Sequence, residues 1–371
     1  MAVVTVISGA QVVVIQPGLV QAYVDVRGMD ASTAGLTLSL EMWGFTATTI
    51  ALMWLAQRLP WHAMLWAATA AMIGGNVASM AVDGAGFMAA RLFAGLGAGV
   101  VVSLGFATIG RLPNPDRYFG IMVAFVLVYG AIALALLPTL LQIAGFAGLA
   151  GFLAVLPIVV AGCVHGLPAA ADVSGISGRG ERMSFPQLSA LAAMLLYFVA
   201  QGSAWAYMSL IGTSLGLGEA NVANALALSQ FPGIAGALLA AWAGDRFGSL
   251  LPLAIGIIGG VVAVVLLVGP AAAELFTFAA CLFNACWNMT HPYLLGVMAR
   301  LDRRGLVVVR ATAMQKIGLA LGPLLASQLI TSTDLSGAVW LAAVAMSVAL
   351  GLIALSLSRR ASGEISNPST T

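Results

Sequence analysis

Charge is what this sequence has least of. Of its 371 residues only 8% are Asp, Glu, Lys or Arg, one is a lysine and three are cysteines. Soluble domains carry about a quarter charged residues, so the deficit excludes a solvated globular surface. No basic block tracks a phosphate backbone, which excludes a nucleic-acid partner. Cys163, Cys281 and Cys286 lie in apolar runs without metal-ligand or redox spacing, and packing is their expected role. No nucleophile–base pair or metal cluster has usable spacing, so neither enzyme chemistry nor a cofactor or metal is expected. The first apolar run lacks a basic n-region, so the sequence predicts no cleavable signal peptide.

What fills the space is hydrophobic: 61% of the residues, with a mean hydropathy of +1.03. Apolar stretches of about 20 residues, the length needed to cross a bilayer, recur throughout. They predict an all-α integral membrane protein with helices over 3–24, 34–56, 61–82, 86–109, 118–142, 146–166, 187–213, 220–242, 249–269, 272–298, 306–330 and 336–358. The polar, glycine-rich break at 167–186 divides them into six-helix bundles at 1–166 and 187–358, followed by a tail at 359–371.

Arg58, Arg111, Arg117, Arg179, Arg182, Arg246, Arg300, Arg303, Arg304, Arg359 and Arg360 fall in even-to-odd breaks or the tail, and only Arg27 falls in an odd-to-even break. The positive-inside rule then places both termini and the central connection in the cytoplasm, and the inner membrane is the expected location. The halves also repeat. Gln57-Arg58-Leu59-Pro60 corresponds to Asp245-Arg246-Phe247-Gly248 at an offset of 188 residues (246 − 58), and Asp116-Arg117 to Asp302-Arg303 at 186 (302 − 116). Paired repeats of this kind place a substrate near the midplane, between halves that rock.

At these residues the chain resembles the major facilitator superfamily. Trp242-Ala243-Gly244-Asp245-Arg246-Phe247-Gly248 is similar to that family's cytoplasmic loop signature, which implies a gating latch at Asp245 and Arg246. Leu55-Ala56-Gln57-Arg58-Leu59-Pro60 keeps the arginine but has glutamine in place of the acid. Arg91-Leu92-Phe93-Ala94-Gly95-Leu96-Gly97-Ala98-Gly99 looks like the family's fourth-helix motif. The resemblance implies two pseudo-symmetric bundles, alternating access and a cavity lined by helices 1, 4, 7 and 10. The fifth helix lacks the Gly-Pro pattern of many drug exchangers, whereas Gly318 to Pro323 on the eleventh has a Gly-x-x-x-Gly-Pro that reads either as a flexing point or as a packing surface.

Glu41, Arg91 and Lys316 lie inside spans, where a charge persists only opposite a partner, water or substrate. Lys316, the lone lysine, sits roughly 15 Å into the eleventh helix, near the midplane. Three readings stand for it: a substrate anion site, a switching partner of Glu41, or a fixed ion pair. Glu41 and Arg91 lie at equal depth and can pair with each other; Glu41 is also the candidate proton-coupling group. Gln315, Gln16 beside Pro17, Gln11 and Gln21 on the first helix, Gln201, Trp205 and Tyr207 on the seventh, Gln230 on the eighth, and Asn284, Trp287, Asn288, His291 and Tyr293 on the tenth are the polar and aromatic candidates. Asn284, Trp287, Asn288 and His291 share a helical face, read as facing the cavity. His291 is a candidate for proton relay or, more simply, interhelical hydrogen bonding. The expectation is a monomeric secondary transporter in the lipid bilayer that takes up a small, anionic, aromatic solute with protons. A drug-efflux pump and a non-transporting receptor are the rivals.

Overall fold

The computed structural model describes residues 1–56, 58–169, 183–269, 272–301, 306–331 and 333–366. Gln57, Arg179, Arg182, Asp302, Arg303 and Arg304 lie outside them, as does most of the expected 167–186 connection.

Among the described residues there are twelve α-helices, one short 3-10 turn and no strand: α1 (Ala2–Val14), α2 (Gln16–Asp25), α3 (Ala31–Leu55), α4 (Trp61–Ala81), α5 (Gly84–Ile109), α6 (Pro115–Gly162), α7 (Phe185–Ser214), α8 (Glu219–Ala243), α9 (Leu250–Val265), α10 (Ala273–Leu301), α11 (Leu306–Ser327) and α12 (Ser336–Ser366). The expected first span is two helices, α1 and α2, bent by 52° at Ile15. Pro17 follows at once and has no N–H to carry the ladder through the bend. The expected fifth and sixth spans run as one element, α6, which reverses at Gly145; its φ of 54° and ψ of −147° are open only to glycine.

The packing shows the twofold repeat. In the first half α3 packs on α5, α4 on α5 and α6, and α1 on α6; in the second, α8 packs on α10, α9 on α10 and α12, and α7 on α11 and α12. Each pairing recurs six spans later. Across the halves α3 meets α11, α6 meets α8 and α2 meets α7, again a set that the repeat maps onto itself. The start of α1 beside the end of α5 at Gly105, the start of α4 bonded through the Trp61 amide to the Ala169 carbonyl, and the start of α7 bonded through the Pro186 carbonyl to Ser356 of α12 mark one face of the bundle (the terminal face). The α2–α3 turn lies at the opposite face, where Asp30 caps α3 by accepting from the Thr33 amide at 3.0 Å and the Thr33 hydroxyl at 2.6 Å. The helices apolar and long enough to cross a bilayer singly are α4, α5, α6, α7, α8 and α12. The more polar α3, α10 and α11 carry Glu41, Asn284 with Asn288, and Gln315 with Lys316.

Candidate functional site

Two rows on α3 divide the interior. The first faces α5, where a Cβ at Gly95 or Gly99 would overlap the main-chain carbonyls of Glu41 or Phe45. That close approach brings Arg91, one turn before Gly95, against Glu41. The Arg91 Nε donates to Glu41 Oε2 at 3.0 Å, Nη2 donates to Oε1, and Nη1 donates to Asn76 Oδ1 at 2.8 Å. The Tyr23 hydroxyl completes the group by donating to Oε2 at 3.4 Å. Glu41 and Arg91 are 2% and 1% exposed, and Glu41 is the only buried carboxylate among the described residues. Of the two partners open to Glu41, the geometry shows Arg91.

The second row faces α11. Ser32, Ser39 and Thr46 donate to the main-chain carbonyls of Ser327 (2.8 Å), Ala320 (2.7 Å) and Lys316 (3.1 Å). At ~100° per residue this row lies about 200° around α3 from Glu41. Glu41 therefore points away from α11, and Lys316 is left without it. The Lys316 ammonium lies 5.3 Å from the centre of the Phe45 ring, a cation–π distance, and among the described residues it forms no ion pair. Lys316 is half-buried, between the halves. Gln315, beside it, is within hydrogen-bond distance of His291, Nε2 to Nε2 at 3.1 Å, and the His291 ring meets Phe198 edge-on at 5.2 Å. Arg310, half-buried six residues before Lys316, is a second cation inside α11; it is not among the residues that the sequence reading singled out.

An aromatic cluster fills the space between α7 and α10. Trp205 stacks on Phe283 at 6.3 Å, and Trp287 meets both edge-on, at 6.4 and 5.8 Å. Phe283 is a member that the polar pattern did not reveal. Trp205 also reaches across the halves: its indole N–H donates to the Val14 carbonyl at 3.1 Å. Val14 ends α1, so its carbonyl lacks the donor that an unbroken helix would supply.

The amides divide. Gln11 is fully engaged, donating to the Leu153 carbonyl at 2.9 Å and accepting from Tyr129 at 3.0 Å, and Gln21 joins Asp25 and Thr213. Asn284 donates to Ser229 at 2.8 Å, Asn288 to the Asn284 carbonyl at 3.0 Å, and Gln230 to the Leu226 carbonyl at 3.3 Å, so these three are tied within their own half. Gln16 donates to the Met42 sulfur at 3.3 Å. Among the described residues, the Oε1 atoms of Gln16 and Gln201 and the hydroxyl of Tyr207 are buried without a hydrogen-bond partner. Such groups are costly in a membrane interior, which makes them the atoms readiest to accept or donate to a solute.

At the terminal face, Asp245 pairs with Arg300 at 3.0 Å, Arg246 stacks on Trp242 at 5.2 Å, and Tyr293 donates to the Gly244 carbonyl at 3.0 Å, all within the second half. Gly318 and Gly322 face α7, where a Cβ would press on the Leu195 and Val199 carbonyls, so the Gly-x-x-x-Gly-Pro stretch is a packing surface. No group of three or more His, Cys, Asp or Glu among the described residues can hold a metal ion.

No family model matches the sequence, and no curated protein matches it. Solved structures do. A D-xylose-proton symporter superposes with a TM-score of 0.73 over 95% of this chain and 95% of its own, at 13% sequence identity. The helix order, the repeat in the packing and this superposition agree: the chain is a multi-pass membrane protein with the major facilitator superfamily fold.

Proposed function

We propose that the chain is a secondary active transporter that takes up a small organic anion, with an aromatic portion, together with protons. In this reading residues 1–166 and 187–358 rock about the site, 167–186 joins them, 359–371 is a tail, and the termini face the cytoplasm across the inner membrane. One observation carries the reading: Lys316 lies between the halves with an aromatic ring and, among the described residues, no carboxylate beside it. An ammonium at that depth costs roughly 3 kcal/mol, and a substrate carboxylate offsets this by a charge-assisted hydrogen bond. Trp205, Trp287 and Phe283 supply the stacking surface, and Gln16, Gln201, Tyr207 and Gln315 the orienting polar atoms. We assign the uptake and release of the coupling proton to Glu41, the buried carboxylate held by Arg91.

The test is thermal stabilisation of the purified chain by a panel of organic and aromatic acids, followed by flux into proteoliposomes under an imposed pH gradient. A bound solute at ~100 times its Kd adds about 2.7 kcal/mol of stability. At least one carboxylate stabilises the wild type, and Lys316→Ala loses that effect while a neutral analogue binds both proteins equally. Equal stabilisation of wild type and Lys316→Ala by every carboxylate sinks the anion reading.

A further inference from the structure

At the terminal-face end of the second half, a crevice of about 170 Å³ opens between α8, α9 and α10. Its wall comprises Ala240, Trp242 and Ala243 of α8, Phe247 of the following turn, Leu251 and Ile255 of α9, and Met289 and Tyr293 of α10, with no polar atom on its surface. The rim is turned outward: Trp242 is 61% exposed, Ile255 57%, Phe247 54% and Leu251 53%. The crevice shares no lining residue with the surroundings of Lys316. It is smaller than the roughly 300 Å³ at which metabolite sites begin, and it lacks the few polar atoms that orient a metabolite. Its shape and chemistry fit a stretch of hydrocarbon.

The mouth has the opposite chemistry. The Arg246 guanidinium lies 5.2 Å from the centre of the Trp242 ring, which forms part of the wall, and has no carboxylate partner among the described residues. Arg300 stands beside it, holding Asp245 at 3.0 Å and donating to Ser249. Among the described residues Arg300 and Asp245 cancel, so the charge left at the mouth is that of Arg246. The local fold makes this arrangement: Gly244 and Gly248 take φ of 49° and 63°, which ends α8 and sets the turn across the mouth.

We propose that this crevice is a site for one anionic phospholipid, an acyl chain lying between α8, α9 and α10 with its phosphate on Arg246. Arginine binds a phosphate oxygen pair in a fork geometry, and a basic group at the end of an apolar groove between membrane helices is the arrangement that distinguishes a held lipid from the bulk bilayer. The site rests on the membrane fold alone and stands whether or not the chain transports an anion.

Native mass spectrometry of the purified full chain tests it, after incubation with equal amounts of phosphatidylglycerol and phosphatidylcholine of the same acyl composition. One net cationic charge near a lipid surface favours the anionic headgroup by about fivefold. The wild type retains the glycerol lipid over the choline lipid by that factor. Arg246→Gln retains as much lipid in total but without preference. Ala243→Leu, which fills the crevice, and Leu251→Trp, which covers it from an exposed position, each lower retention of both lipids; their melting curves show that they are folded. Soluble glycerol phosphate displaces nothing. Equal retention of both lipids by the wild type, an unchanged preference in Arg246→Gln, undiminished retention in both crevice variants, or displacement by glycerol phosphate each overturns the proposal.

Discussion

The hydroxyl of Thr46 donates to the main-chain carbonyl of Lys316 at 3.1 Å, while the ammonium of the same lysine lies over Phe45, the residue before Thr46. One step of α3 thus touches Lys316 at both its backbone and its charge. Ser39 and Ser32 extend the contact toward the opposite face, at seven-residue intervals that keep all three hydroxyls on one side of α3. The acceptors are main-chain carbonyls of α11, so the two helices can part without either losing its own hydrogen-bond ladder. Parting them would move the cation away from Phe45 at the same time.

Ser32→Ala/Ser39→Ala is expected to loosen this seam. Each lost neutral hydrogen bond contributes about 1 kcal/mol; the Ala320 carbonyl keeps its helical donor, whereas Ser327 ends α11 and its carbonyl has none among the described residues. Together the two changes shift the balance between closed and parted states by about 2 kcal/mol, roughly thirtyfold. Hydrogen–deuterium exchange reads it: amides at 320–327 exchange faster in the variant, with those at 190–200 of α7 unchanged. Unaltered rates at 320–327 mean that the hydroxyls do not hold the face shut.

Removing one partner of the Glu41–Arg91 pair strands the other in the bilayer interior. Arg91→Met is expected to destabilise the protein by about 3 to 5 kcal/mol, and Glu41→Gln by less, because Asn76 still engages the guanidinium. The double variant Glu41→Gln/Arg91→Met recovers most of the loss. Melting curves in detergent measure all three. The double variant also tests coupling: a folded protein whose solute accumulation no longer follows an imposed pH gradient assigns the proton to this pair, and a retained response assigns it elsewhere.

The twelve spans were readable because run length and apolarity are properties of the chain itself. Depth along a helix was readable too, which is how Glu41, Arg91 and Lys316 were singled out. Azimuth was not read: α3 touches both α5 and α11, so counting residues left Glu41 open to either Arg91 or Lys316. The signal that decides it is the recurrence of Ser32, Ser39 and Thr46, which marks the α11 face and leaves Glu41 on the other side. The bend at Ile15 depends on a neighbour as well, since Trp205 of the other half takes the carbonyl that the break exposes. Phe283 escaped notice because nothing in an apolar run separates a ring that faces a cavity from one that faces lipid.

Asp30, outside the spans at the start of α3, gives a pH test. Hydrogen bonds from Thr33 hold its carboxyl below the usual aspartate range. A carboxylate with a depressed folded pKa contributes stability above its unfolded pKa, near ~3.9, and loses it as the pH falls from there through the folded value. Asp30→Ala removes an N-cap worth about 1 kcal/mol. The difference in melting temperature between wild type and Asp30→Ala is therefore constant near neutrality and narrows as the buffer is taken below about pH 4. A difference that persists undiminished through that range means that the charge of Asp30 does not contribute to the cap.

Gly35 and Tyr207 bring α3 and α7 into contact across the halves: a Cβ at Gly35 would overlap the Tyr207 hydroxyl, which is buried without a hydrogen-bond partner among the described residues. Gly35→Ala is expected to force the two helices apart and lower stability by about 1 to 3 kcal/mol, the usual range for overpacking. Gly35→Ala/Tyr207→Ala makes room for the methyl group, so its cost is smaller than the sum of the two single changes. Tyr207→Phe, which deletes an unsatisfied hydroxyl and keeps the ring, is expected to raise stability by about 1 kcal/mol. A double-mutant cycle of melting curves measures the coupling, and additivity across it means that the two residues do not meet. Solute binding supplies the second readout. If Tyr207 serves the cleft as proposed, Tyr207→Phe gains stability while binding the carboxylate more weakly; a variant that is both more stable and unimpaired in binding confines Tyr207 to the contact with Gly35.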